Sequence, residues 1–296
     1  MTGSRLTRLA LCLALLPAAA SVALAQSPPA SPAVSLTPAT VVAGSPELLR
    51  VDAPATAAIT GDWLGRSLQF FRDRNAWFAL AGADVEAPIG PSILTLHVTL
   101  ADGTIRSLSR TIDILPAHYR TTTLSVAPRF TEPTPAQLKQ IESEIQLKKE
   151  LFATSAPRRL WHGSFRAPVR ATPTASFGTR RLFNGELKSV HKGMDFRART
   201  GTPVRASNAG IVILAQPLYF EGNCVVIDHG LGLYTIAMHL SRIRVRPGQH
   251  VATGQLLGLS GATGRVTGPH LHWAVRWQGA YLDPAKLLRM NLAALR

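Results

Sequence analysis

The sequence predicts a mainly β protein on three observations. Apolar and polar residues alternate with a period of two over several separate stretches. Helical spacing is confined to one segment near the middle. Gly and Pro, 23 and 21 of 296 residues, recur at short intervals, as turns between strands require. The expected architecture is an N-terminal immunoglobulin-like sandwich, a linker helix and a C-terminal antiparallel β-sheet domain. With 46% apolar and 17% charged residues, the composition is that of a folded chain with a sizeable core, which excludes a disordered protein.

Residues 1–25 read as a secretory signal peptide. Arg5 and Arg8 precede an apolar run from Leu9 to Leu16, and Ala23-Leu24-Ala25 forms an A-x-A cleavage site before Gln26. The run is too short to span a bilayer, which disfavours the alternative of an uncleaved anchor. Cys12 follows Leu11, where a lipobox would place a small residue. Cleavage would remove Cys12 and leave Cys224 alone. The exported, periplasmic protein would then rely on its core, a metal or both instead of disulfides. Residues 26–33 form a Pro/Ser-rich tail.

Residues 34–116 carry the sandwich. Leu94, Leu96, Val98 and Leu100 alternate with Thr95, His97 and Thr99. An Asp102-Gly103 turn follows, and a second alternating run ends at Ile112 and Ile114. That pattern is a hairpin. Trp63, Phe70, Phe71, Trp77 and Phe78 are the expected core aromatics, and the region holds no cluster of metal-binding or acid–base residues. Residues 117–159 form a linker with a helix over 135–153. Thr134 is its N-cap, Pro135 its first residue and Gln137 completes a capping box. Leu138, Ile141, Ile145 and Phe152 supply its apolar stripe.

Residues 160–296 are again β-rich, with strands expected in "TPVRASNAGIVILAQ", "NCVVIDHG", "GLYTIAMHL" and "HLHWAVRW". The net charge of +15 is spread along the chain. For an exported protein it points to an anionic envelope polymer or membrane surface and away from nucleic acid.

The chemistry concentrates in the second half. His191 and Asp195 stand four apart in "HKGMDF", where Gly193 argues for a turn into a strand. His270 and His272 share one strand face, because side chains alternate. One of that pair with His191 and Asp195 makes a three-ligand set, open at a fourth position as catalytic zinc sites are. The other histidine and His239 would be free for proton transfer or oxyanion stabilisation. His229 reads as structural. His97 and His118 read as ordinary surface or edge residues of the first domain and its exit, and His162 and His250 have no acidic or histidine neighbour at ligand spacing. Neither "HExxH" nor "GxSxG" occurs, so helical zincin and serine-hydrolase chemistry lack their motifs.

The ordered motifs "HKGMDF", "GTPVRASNAGIV", "GNCVVIDHGLGLYTIAMHLS", "VRPGQHVATGQLLGLSGATGRVTGPHLHW" and "YLDP" resemble the LytM/lysostaphin-type zinc endopeptidases of peptidoglycan, from about Phe177 to Leu288. "FGTRRLFNG", with a β domain in front, is similar to a subgroup common in Gram-negative bacteria. The resemblance implies one Zn2+ held by His191, Asp195 and His272, with His239 and His270 acting in catalysis. It implies peptidoglycan as partner, with envelope regulatory proteins as further candidates. Ala237 departs from the aromatic residue usual two positions before the catalytic histidine. Gly-rich turns at 261–268 and a loop at 178–190 are expected to wall a groove. The expected scissile bond is the D-alanyl–diaminopimelate cross-link, its carboxylates met by Arg180, Arg181 and Arg265. The alternative is a non-catalytic envelope scaffold, or an activator of another wall hydrolase.

Overall fold

The computed structural model describes residues 32–53, 56–124, 133–174, 177–183, 186–293 and 295. The expected signal peptide and residues 26–31 of the tail lie outside them. Among the described residues, twenty-one strands and two helices follow one another. The first nine strands are β1 (Ala33–Thr37), β2 (Val41–Val42), β3 (Pro46–Asp52), β4 (Thr56–Trp63), β5 (Arg66–Gln69), β6 (Phe71–Asp73), β7 (Ala76–Gly82), β8 (Gly90–Leu100) and β9 (Ile105–Leu115). They form two sheets, in the orders β1-β3-β7-β6 and β2-β9-β8-β4-β5.

The β8–β9 hairpin follows the alternation seen in the sequence. Leu94, Leu96 and Val98 are buried, and the Asp102 carboxylate closes the turn by accepting from the Thr104 N–H. The core differs from expectation in its aromatics. Trp63 is buried, whereas Phe70, Phe71, Trp77 and Phe78 are only partly buried. Aliphatic residues such as Leu49, Val51, Ile59 and Leu80 fill the interior. Phe71, stacked on Phe78 at 6.0 Å, meets the rest of the chain edge-on at Trp161, 5.7 Å away.

Strand β10 (Thr121–Leu124) precedes helix α1 (Pro135–Leu151). Its expected capping box is present: Thr134 accepts from the Gln137 N–H, and the Gln137 side chain accepts from the Thr134 N–H. The helix follows its expected stripe only in part: Phe152 packs into an apolar cluster and Ile141 is half-buried. Leu138 and Ile145 are exposed, while Glu144 is buried. From its middle onward the packing stripe mixes Glu144 and Lys148 with Leu147, Leu151 and Phe152.

The remaining strands are β11 (Arg180–Phe183), β12 (Glu186–Val190), β13 (Met194–Phe196), β14 (Pro203–Arg205), β15 (Gly210–Leu218), β16 (Gly222–Asp228), β17 (Leu233–Ile243), β18 (His250–Val251), β19 (Leu256–Ser260), β20 (Leu271–Trp277) and β21 (Ala280–Leu282), followed by α2 (Pro284–Arg289). β13-β20-β17-β16-β15-β18 is the backbone of a nine-stranded sheet, which β14, β19 and β21 extend. The expected strand over 202–216 is two strands. Buried Asn208 interrupts it, because its side chain accepts from the His162 N–H and donates to the His162 carbonyl. The expected loop at 178–190 contains the β11–β12 hairpin. β10 joins that hairpin in parallel, making a three-stranded sheet beside the main one.

One apolar core runs through residues from both halves, Leu36 to Leu295. Polar contacts reinforce it at β21. The Tyr281 N–H donates to the Asp84 carboxylate at 2.6 Å, and the Asp283 N–H donates to the Gly44 carbonyl at 2.7 Å. Among the described residues no helix is long and apolar enough to cross a membrane.

Candidate metal centre

The strand register brings the first two polar residues together. β13 pairs with β20 antiparallel, and Asp195 stands directly opposite His272. Facing residues on neighbouring strands have Cβ atoms about 5 Å apart, so their side chains can meet over one face. His191 lies just before β13. Its N–H donates to the Thr179 carbonyl, and its own carbonyl accepts from the Gly178 N–H. These bonds fix the turn that swings its ring back over the strand pair.

Gly193 makes the approach possible. A Cβ there would lie 2.6 Å from His272 Cε1 and 2.9 Å from the Trp273 carbonyl oxygen. The sequence marks Gly193 only as a helix breaker, but its structural reason is this lack of room.

His191 Nε2, Asp195 Oδ1 and His272 Nδ1 converge. The separations are 2.9 Å between the two imidazoles, 2.9 Å from His272 to Asp195 and 3.4 Å from His191 to Asp195. Zinc bonds of about 2.0–2.2 Å in a tetrahedron imply ligand–ligand edges of roughly 3.3 Å. The triangle is of that size, and its two imidazoles and one carboxylate are the donor set zinc accepts. Among the described residues these three are the group of His, Cys, Asp and Glu able to hold a metal ion.

The electrostatics favour an ion. Burial pushes the Asp195 carboxyl up, but hydrogen bonds from His191 and His272 outweigh it and hold the group well below the usual carboxylate range. Burial pushes the His272 imidazole down, against the opposing pull of Asp195. Both shifts favour an ionised carboxylate and a neutral imidazole, the forms that bind metal.

Two further imidazoles face this triangle. The His270 ring centroid lies 4.9 Å from that of His239, and His239 lies 6.0 Å from His272. His270 Nε2 is 3.8 Å from Asp195 Oδ1. His239 reaches this face through a bulge in β17. Its φ is +63°, in the left-handed region that side chains rarely adopt, and the pairing with β16 shifts register there. A regular strand would put Met238 and His239 on opposite faces, whereas here both line one groove.

Backbone carbonyls orient both rings. His239 Nδ1 donates to the Thr263 carbonyl at 2.9 Å, and His270 Nδ1 donates to the Gly268 carbonyl at 2.8 Å. A carbonyl can only accept, so Nδ1 carries a proton in each ring, which leaves Nε2 as the nitrogen turned toward the groove. Burial first, then the nearby His272, pushes His239 down to about 4. It is therefore neutral at physiological pH.

His229 stands apart. It is fully buried, with one ring nitrogen at the Ala209 carbonyl and the other at the Thr235 hydroxyl. Cys224 is free and buried, where burial pushes its thiol up and makes it inert.

The groove over the triangle measures about 1290 Å³. Its walls come from residues 265–270, the Phe220-Glu221 loop, Thr122 of β10, and Arg181, Ser189 and Val190 of the β11–β12 hairpin. Arg181 and Arg265 line it. Arg180, the third arginine expected there, is an exposed neighbour on β11 outside the lining. Adjacent strand residues point to opposite faces, which separates Arg180 from Arg181.

Comparisons with known proteins agree with this geometry. Residues 189–284 match the family model of peptidase family M23. Over 120 residues the chain is 42% identical to the peptidoglycan DD-endopeptidase ShyA of Vibrio cholerae, covering 40% of this chain and 27% of ShyA. It is 40% identical over 98 residues to the DD-carboxypeptidase/endopeptidase Mpg of Neisseria meningitidis, covering 33% of this chain and 23% of Mpg. The chain thus spans only about a quarter of the length of these curated relatives. The crystal structure of a candidate peptidase M23 from Pseudomonas aeruginosa superposes with a TM-score of 0.65 at 29% identity, covering 85% of this chain and 95% of that one. Through the β-sheet region that holds His191, Asp195 and His272, the chain belongs to peptidase family M23.

Proposed function

We propose that the protein is a zinc-dependent endopeptidase of peptidoglycan that hydrolyses peptide cross-links. One observation carries the reading: an open His191–Asp195–His272 triangle faced by two imidazoles whose Nδ1 atoms are held by backbone carbonyls. The names of the relatives, DD-endopeptidases of peptidoglycan, support the substrate class. In the finer reading, the scissile bond joins D-alanine to diaminopimelate. The chain is exported through residues 1–25, and the first two sheets form an immunoglobulin-like domain over 34–116. The helix-bearing linker spans 117–159, and the peptidase domain spans 160–296.

Zinc held by His191, Asp195 and His272 supplies Lewis acidity that polarises the carbonyl and acidifies water. The protein's own groups move the protons. Water oxygen attacks the amide carbon, and His239 or His270 accepts the water proton on Nε2. The carbon–nitrogen bond then breaks, and the protonated imidazole returns its proton to the leaving amine. Each ring can keep its orientation through both steps, because Nδ1–H stays on a backbone carbonyl.

The test is digestion of purified sacculi by the zinc-loaded full chain, followed by muropeptide analysis. Dimers should convert to monomers, and a chelator should stop the reaction. His239→Ala and His270→Ala should keep the metal and lose about 10²–10⁴-fold in rate, whereas His272→Ala loses both. Intact dimers accompanied by stem peptides released from glycan would refute the assignment.

A further inference from the structure

Charge in the groove is one-sided. Its lining includes Arg120, Arg181, Arg197, Arg199, Arg265 and Lys192, with Asp195 and Glu221 as its acids. Both acids are engaged. Asp195 belongs to the triangle, and Glu221 accepts from Lys148 at 2.6 Å. Lys192 is paired with Glu86 at 2.9 Å. Among the described residues, none of the five arginines forms an ion pair.

Two of the five are brought together by separate elements. Arg181 comes from β11, with Ser189 opposite it on β12 and Thr122 beside it on β10. All three residues line the groove. Arg265 comes from the 261–270 segment. Its guanidinium lies 4.2 Å from the centre of the Phe220 ring, and the Arg265 backbone N–H donates to the Phe220 carbonyl at 3.0 Å. Stacking fixes the plane of the guanidinium and leaves its N–H edges free. Burial first, then the charge of Arg181, pushes the Arg265 guanidinium down. Glu221, held by Lys148, offsets part of that charge, and two like charges lining one groove repel, which a shared anion would relieve.

We infer that Arg181 and Arg265 form a carboxylate subsite, which selects cross-links carrying a free carboxylate on the residue flanking the scissile amide. The subsite rests on the reading of the groove as the bed of a wall peptide. A planar carboxylate matches the guanidinium fork and can accept two parallel N–H bonds. A peptide lying over the triangle would present such a group on the residue that keeps the new amine. The arginines would then act on binding and register, while the imidazoles act on the bond.

The experiment uses the full chain and two cross-linked muropeptide dimers, identical except that the flanking carboxylate is free in one and amidated in the other. Cleavage is followed for both, and binding is followed by anisotropy of labelled dimers on zinc-loaded protein. The wild type should favour the free dimer about ten- to hundredfold, as expected for a charge-assisted bidentate contact. The double variant Arg181→Gln/Arg265→Gln should bring that ratio close to one. Arg180→Gln, on the other face of β11, should leave the ratio as in the wild type. Raising the salt should shrink the preference. Equal cleavage of both dimers by the wild type overturns the subsite and leaves the hydrolase reading standing, as does a double variant that keeps the full preference. Tight, selective binding of the free dimer without cleavage of either overturns the hydrolase reading and upholds the subsite.

Discussion

Glu144→Ala should loosen the active face from outside it. Glu144 is the buried residue of α1, and its carboxylate accepts the Tyr219 N–H on both oxygens, at 3.0 and 2.9 Å. Gln140 donates to the same carboxylate at 2.8 Å. One turn on, Lys148 holds Glu221. Between these anchors lies the Tyr219-Phe220-Glu221 loop. The Glu221 carbonyl accepts the His239 N–H at 2.9 Å, and the Phe220 carbonyl accepts that of Arg265. Hydrogen bonds to a charged group contribute about 1.5–3 kcal/mol, and an orphaned buried N–H costs about 1–3 kcal/mol. Removing the carboxylate should therefore weaken this attachment by about 2–3 kcal/mol. The C-terminal half of α1 should stay docked, because Phe152 packs on Tyr234 at 5.0 Å and under Arg276 at 4.0 Å.

The expected outcome is faster amide exchange in peptides covering 219–222 and 237–240, with zinc content unchanged. Hydrolysis of a small cross-linked peptide should fall about tenfold, mainly in kcat, since His239 loses its fixed aim. Glu144→Gln keeps one acceptor oxygen for Tyr219 and should lose less. Unchanged exchange at 219–222, with kcat within about twofold of wild type in a folded, zinc-loaded protein, would refute the reasoning.

Gly193→Ala should abolish zinc binding while leaving the protein folded, because the new methyl group would press on the His272 ring and the Trp273 carbonyl; metal analysis with a thermal melt checks it. Glu47 should impose a pH slope on stability. Burial, opposed by Ser45 and Lys286, raises its carboxyl from 4.5 to about 8. The folded state then holds the proton more tightly than the unfolded one, so this contribution is complete below pH 4.5 and is lost as pH rises to about 8. Glu47→Gln should flatten that slope, raising Tm more at pH 8 than at pH 5, as calorimetry would show.

Much of the metal triangle was legible because strand geometry has a fixed period. Two histidines two apart must share a face, and a His followed four residues on by Asp across a glycine can close on one point. The pairing of Asp195 with His272 was not legible, since register between distant strands leaves no local trace. The place of His239 was hidden by a bulge, where the period of two fails. The helix was visible in its cap but misread in part of its face. Leu138 and Ile145 suggested a buried stripe, yet Glu144 and Lys148 dock the helix from its middle onward. Binary patterning counts apolar residues and overlooks a charged side chain that is buried because backbone N–H groups satisfy it. The aromatics of the first sheets were misplaced for a related reason. Their bulk marks burial in general, and a seam between two regions uses it as readily as a core does.

The strand β10 ties the wall of the groove to the front of the molecule. Five residues separate it from β9, and the Tyr119 hydroxyl just before it donates to the Ala43 carbonyl at 2.7 Å while its ring meets Phe177 edge-on at 5.7 Å. β10 turns the β11–β12 hairpin from a two-stranded ribbon, marginal in water, into a braced panel. Asp195 and His272, of the candidate metal triangle, belong to another sheet altogether. Chemical competence and fit are thus built on separate supports. A force that levers the front of the molecule would widen the cleft without disturbing the ion, as the jaw of a clamp opens while its anvil stays still.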